Sequence, residues 1–309
     1  MFLGRAKYNL LQYKKREVPS LNVLDWEVRD YRSLSNEALF RGLQALGVDL
    51  QESDLKRFAS EDKSLEEMNF QEKGEAYLHL FELWRRFCPS QKSIAIFCDE
   101  LDAFIDAYDR GEEHLNEAIL TEFFDILDES VDGGLKPKVV FKEISGYLAH
   151  DLESFFYNYI YDQIDKNNEM GASEILENIS DYLEGSLWFE FLRIRLLKGA
   201  SEEDSSAMMA RFLEQLESKP QIELAFEVLY YMIETGHKEL FINTYKSILK
   251  QIKHEDHFME MLEIIFSYYS LNDLEKEESL IRELIKQRKN IPLEKKVGLK
   301  EKKILESFI

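Results

Sequence analysis

From Ser35 onward, nearly every segment of the chain places apolar residues three and four positions apart, with turn signals between the runs. That period lays one apolar stripe along a helix, where a half-buried strand would need alternation every second residue. Glycine and proline are sparse, at 13 and 5 of 309 residues, which suits long helices over many short strands. The fold class expected is therefore all-α. After about residue 150 the helices fall into pairs. Their second members begin near Gly171, Gly199, Gly236 and Asn272, at spacings of 28, 37 and 36 residues. Intervals of this size point to a helical-repeat array, in which each pair buries its apolar face only against its neighbours.

The first part of the chain is laid out differently. Residues 1–34 read as an N-terminal arm with a basic first helix, and 17–34 within it carry no helical period. Helices are expected at about 35–46 and 52–60, then one ending at Phe87 before Cys88-Pro89-Ser90, then 90–109 and 112–130. Asp132-Gly133-Gly134 with Pro137 is the strongest break in the chain. It divides an N-terminal helical domain, 35–132, from a repeat domain, 137–290, which a basic C-terminal helix, 291–309, follows. KVVF (138–141) is the one stretch that reads as a short strand.

Within the repeat region the two helices of a pair differ. LWFEFLRIRLL (187–197), ELAFEVLYYMI (223–233) and HFMEMLEIIFSYY (257–269) are apolar on most faces. The second helices carry a single stripe, such as Leu240, Phe241, Tyr245, Ile248, Leu249 and Ile252, with Lys246, Lys250 and Gln251 opposite. One layer enclosed by neighbours and one layer with a wet face would produce this difference. IETGHKELFINTYKSIL (233–249) resembles the turn and second helix of the tetratricopeptide-repeat (TPR) family, and the resemblance covers about 151–290. It implies a turn glycine at Gly236, with Tyr245 and Ile248 at the large and interfacial places. Phe241 and Leu229 stand where that family has small residues. The resemblance also implies a superhelix whose first helices line a groove for a partner protein.

SIAIFCDELDAF (93–104) looks like the Walker B strand of an ATPase. That reading needs a glycine-rich loop ending in Gly-Lys-Ser/Thr upstream, and Gly4, Gly42, Gly47 and Gly74 are all isolated. The helical period instead runs straight through, in Ile94, Phe97, Cys98, Leu101, Phe104, Ile105 and Tyr108, with Ser90 as a candidate N-cap. Asp99, Asp102, Asp106 and Asp109 then share a narrow arc on another face, read as solvated. The competing function follows from the same row: an all-α metal-dependent enzyme using the acidic helices 99–109 and 113–128. It would take Asp99, Asp102 and Asp106 as ligands, with Glu113, Glu117, Asp125 and Asp128 opposite. His254-Glu-Asp-His257 lacks the further ligand a zinc site needs and reads as a polar inter-helix turn, and His150-Asp151, a pair that resembles that of metal phosphohydrolases, lacks that family's other ligands.

The formal charge is −21, and it is uneven. Residues 1–16 hold five basic groups and no acid, and Lys286–Lys303 hold eight against Glu294 and Glu301. With Glu306 also set aside, 17–285 carry −31. A body so acidic repels phosphate backbones, so nucleic acid is not expected as the partner. The basic C-terminal segment is expected to face the acidic body or an acidic partner. Cys88 and Cys98 form no disulfide framework, no membrane span is legible, and the first residues lack a signal peptide's apolar run. A cytoplasmic location is expected.

No catalytic motif appears and no cofactor is expected. The function expected is a non-catalytic protein–protein interaction module (scaffold, adaptor or chaperone-like) holding a partner protein or peptide in the groove of the array. Neighbours on a helix point about 100° apart, so one tyrosine of Tyr230-Tyr231 and one of Tyr268-Tyr269 should reach the groove. Tyr231 and Tyr269, with Arg193 from the preceding repeat, are the candidate partner-binding residues. The sequence is silent on oligomeric state.

Overall fold

The computed structural model describes residues 31, 33–52, 55, 69–88, 94–112, 115–197 and 202–308. The protein is all-α. Among the described residues there is no strand, only an isolated antiparallel bridge between His254 and Lys296. The chain forms two compact units, one built from residues up to Asp162 with Glu174–Glu184, the other from Gln163–Ser173 with Gly185 onward.

The first unit begins with α1 (Asn36–Ala45) packed on α2 (Phe70–Phe87). Ser35 caps α1 by accepting from the Ala38 N–H at 3.2 Å, and Asn69 and Glu72 form a reciprocal capping box on α2. Leu39, Leu43, Val48, Leu83 and Trp84 fill the space between them. Of the helix expected at 52–60 only Glu52 and Leu55 are described, Leu55 being buried, and the break at Pro89-Ser90 lies outside the described residues.

Then come α3 (Ile94–Asp109), α4 (Ala118–Asp132), α5 (Pro137–Ser145) and α6 (Leu152–Asp165). The KVVF stretch is helical, not a strand. Pro137 occupies the first turn, where its fixed φ suits a helix start, and Val140, Phe141 and Ile144 bury one face. Phe123 stacks near Phe97 and also meets Phe141 and Phe156, so the rings of four helices share one core. The Gly133-Gly134 break therefore lies inside this unit: Phe123 on one side of it touches Phe141 on the other. The residues of α7 (Glu169–Ser180) are divided between the two units.

The second unit continues through α8 (Leu187–Leu196), α9 (Glu202–Ser218), α10 (Ile222–Thr235), α11 (Lys238–Leu249), α12 (Glu255–Leu271) and α13 (Glu275–Arg288). First helices start at 187, 222 and 255, and second helices at 202, 238 and 275. Each first helix packs on its own second helix, α10 also packs on α12, and α9 packs on α11. Gly236 adopts φ +79° at the end of α10, where it and His237 both donate to the Met232 carbonyl. That left-handed turn is strained for most L-residues and open to glycine. Phe241 is buried and stacks on Tyr268 with ring centres 4.7 Å apart.

The basic C-terminal segment is not one helix. A turn follows α13, then the Lys296 bridge to His254, then α14 (Leu299–Glu306). Leu305 is fully buried, and α14 packs on α11.

Candidate functional site

The acidic row on α3 is not solvated throughout, although Asp109 at its end is exposed. Asp102 is fully buried and accepts the Ala149 N–H at 2.8 Å. Asp106, one turn on, lies 3.2 Å from His150 Nε2. The two carboxylates thus fasten the turn that leads into α6, whose first N–H groups are capped by Asp151. The side chain of Asp99 lies outside the described residues, as does Glu113. On α4 and its approach, Glu117 accepts from the Tyr159 hydroxyl at 2.5 Å and Asp128 from the Tyr182 hydroxyl at 2.5 Å. Asp102, Asp106, Glu117 and Asp128 are thus each turned to a different partner. Among the described residues, no three His, Cys, Asp or Glu side chains are grouped to hold a metal ion. His254 lies 3.1 Å from the Glu294 carbonyl through Nδ1, and His257 packs edge-on against Phe226, so the two imidazoles serve different contacts.

The three expected groove residues are not brought together on a surface. Tyr231 is buried, packed perpendicular to Phe191 at 5.6 Å with the Arg195 guanidinium 5.8 Å from its ring centre. Burial pushes its hydroxyl above the ordinary tyrosine range, although Arg195 pulls the other way. Tyr269 is buried as well, and its hydroxyl donates to the Phe308 carbonyl. Arg193 is half-exposed and pairs with Glu190 on its own helix. The correction to Tyr231 is a rotation of one residue. The apolar faces of α10 and α12 take the second tyrosine of each pair and leave the first half-exposed.

Tyr230 is therefore the surface member, and it occupies a chemically distinct place. Its hydroxyl donates to Glu260 Oε1 at 3.0 Å and ties α10 to α12. Glu227 and Glu234 lie on α10 one turn before and after Tyr230, and Glu263 follows Glu260 by three residues on α12. The Glu227 carboxyl is raised above its usual range, by burial first; Arg195 lowers it, while Glu260 and Glu234 raise it. Among the described residues Glu227 has no hydrogen bond or ion pair, and Arg195 is committed to Asp165 at 2.8 Å. The result is a half-buried aromatic ring bordered by carboxylates that repel one another. No sequence rule distinguishes Tyr230 from Tyr231, but the Glu at 227, 234, 260 and 263 supplied a signal: they recur at three- and seven-residue spacing around the first tyrosine.

No helix among the described residues is long and apolar enough to cross a membrane. Comparisons with protein-family models, curated proteins and solved structures gave no match.

Proposed function

We propose that this protein is a helical-repeat interaction module that holds a partner protein against the α10–α12 face, with Tyr230 as anchor. The observation that carries the reading is Tyr230 bridging two first helices through Glu260 while Glu227, Glu234 and Glu263 border it, with Arg195, itself bonded to Asp165, acting against the repulsion at Glu227. Tyrosine offers a large ring and a polar tip at low entropic cost, and such residues dominate binding energy at interfaces. A Lys or Arg side chain from a partner would relieve the repulsion among the carboxylates and gain the face of the ring. The partner class is a protein segment carrying basic residues.

The pairing of α8 to α13, with first helices packed on first helices and second on second, supports a TPR-like superhelix continuing over this region. A cytoplasmic setting belongs to the same reading, since a chain of 309 residues with only two cysteines, Cys88 and Cys98, both buried, carries no disulfide framework.

The test is fluorescence anisotropy of a labelled Lys/Arg-rich peptide with the full chain, the Tyr230→Ala chain and the Glu227→Gln/Glu260→Gln chain. Binding weakened tenfold or more by both changes, in chains that circular dichroism shows to be folded at the assay temperature, is expected. Equal affinity for all three chains would sink the assignment of this face.

A further inference from the structure

A second surface, built from other elements, carries the opposite charge. The end of α11, the segment after α13 and α14 meet along one seam. The Val297 N–H donates to the Lys253 carbonyl at 2.9 Å, and Lys302 Nζ donates to the Lys250 carbonyl at 3.2 Å. The Lys296 bridge to His254 closes the same seam. These ties set the exposed Lys250, Lys253, Lys295, Lys296, Lys300 and Lys303 on adjoining turns. None of the six makes an ion pair among the described residues.

The acids close by are few. Glu301 caps its own helix by accepting the Gly298 N–H at 3.0 Å, Glu294 is exposed beside Lys295, and Glu306 is exposed at the end of α14. The arginine of this region, Arg288, is engaged with the buried Glu255. What remains free is a lysine cluster on a chain of net charge −21.

Screening over about 8 Å at physiological ionic strength lets such a cluster act locally, whatever the net charge. An extended polyanion such as a duplex or a bilayer surface would also meet the acidic remainder and be repelled by it. A short carboxylate-bearing segment would not. The cations are all lysines, point charges without the planar fork that matches phosphate bidentately. We infer that the seam of α11 and α14 is a docking surface for a protein segment dense in aspartate and glutamate. This surface is independent of the Tyr230 face, so the two assignments fail separately.

The probe is a fluorescein-labelled peptide of fifteen glutamates titrated with the full chain at low and at physiological salt. Lys296→Glu/Lys300→Glu/Lys303→Glu is the test variant, and Lys219→Glu, an exposed lysine elsewhere, is the control. Saturable binding that falls at least tenfold in the triple variant, weakens with salt and is unchanged in the control is the expected result. Circular dichroism melting shows whether the triple variant is folded; Lys250→Glu/Lys253→Glu gives a second reading from the other side of the seam. Absence of binding, or equal binding by the wild-type chain and both variants, overturns the proposal. So does tighter binding of an oligodeoxythymidylate of equal charge, or of phosphatidylserine vesicles, which would assign the seam to a nucleic acid or a membrane instead.

Discussion

Arg288 grips Glu255 with two parallel hydrogen bonds, Nε to Oε1 at 2.6 Å and Nη2 to Oε2 at 2.5 Å. Glu255 is 1% exposed, and the guanidinium also lies 4.2 Å from the ring centre of Phe258. The pair joins the start of α12 to the end of α13, closing the last helix pair at the end opposite its turn. Removing one partner leaves a charge buried without its counter-charge. Arg288→Ala or Glu255→Ala should cost about 3–5 kcal/mol in urea unfolding. Replacing both with methionine should cost markedly less than the sum of the single changes, a non-additivity that a double-mutant cycle measures.

The C-terminal segment makes a second structural prediction. Leu305 is buried, Tyr245 donates to its carbonyl at 3.2 Å, and Glu255 and Asp256 donate backbone N–H groups to Lys295 and Leu293 at 2.9 and 3.1 Å. A basic tail held only by exposed charges would be dispensable. This one covers apolar surface and satisfies the first turn of α12. Leu305→Ala should lose about 2–5 kcal/mol, and ending the chain after Asn290 should abolish the cooperative melting of the second unit. Unchanged unfolding of the truncated chain would mean that these contacts contribute nothing.

Glu82 gives a pH dependence with a defined sign. It is fully buried on α2; burial raises its carboxyl, but hydrogen bonds from Arg85 and Arg86 outweigh that and hold it below the ordinary 4.5. Arg86 also reaches the Leu34 carbonyl at 2.8 Å and Asn36 at 2.7 Å, so the carboxylate orients the clasp between α2 and α1. A lowered carboxyl stabilises above its unfolded pKa, and that contribution is lost as pH falls through the folded value. The stability difference between wild type and Glu82→Gln should be full at pH 7 and shrink below about pH 4.5. A difference that stayed constant down to pH 3 would show that the carboxylate charge is irrelevant.

Gly42 should resist the substitution that helix propensity favours. A Cβ at this position would fall 1.9 Å from His79 Nε2, and His79 is itself held through Nδ1 by the Glu75 carbonyl at 2.7 Å. Gly42→Ala gains about 1 kcal/mol of propensity in a helix interior, against about 1–3 kcal/mol for overpacking. Net destabilisation is expected, with recovery in the Gly42→Ala/His79→Ala double variant.

The helices were legible because three- and four-residue spacing is a local property, and Ile94 to Tyr108 carried it through a stretch that mimics an ATPase strand. Gly236 was legible for the same reason, as a left-handed turn is a demand on a single residue. KVVF misled because two β-branched residues and one aromatic outweigh Pro137 only when the proline is not recognised as a helix start. Asp102 and Tyr231 were misplaced for a different cause. Their surroundings come from the 146–151 turn and from Phe191, both remote in sequence, and no period within one helix reports them. The seam of α11 and α14 depends on backbone bonds across more than forty residues and left no pattern beyond its lysines.

The tyrosine hydroxyls that donate to carboxylates have a consequence for how so acidic a chain tolerates its medium. Tyr108 to Asp162, Tyr159 to Glu117, Tyr182 to Asp128 and Tyr230 to Glu260 join residues 30 to 54 positions apart. In each, a neutral donor meets an anion, so dissolved electrolyte has no opposite charge pair to screen. Helix contacts elsewhere built from lysine and glutamate would loosen in brine. These would hold, and the same salt would also quiet the repulsion among the remaining acids. Such a molecule should melt higher in molar sodium chloride than in dilute buffer.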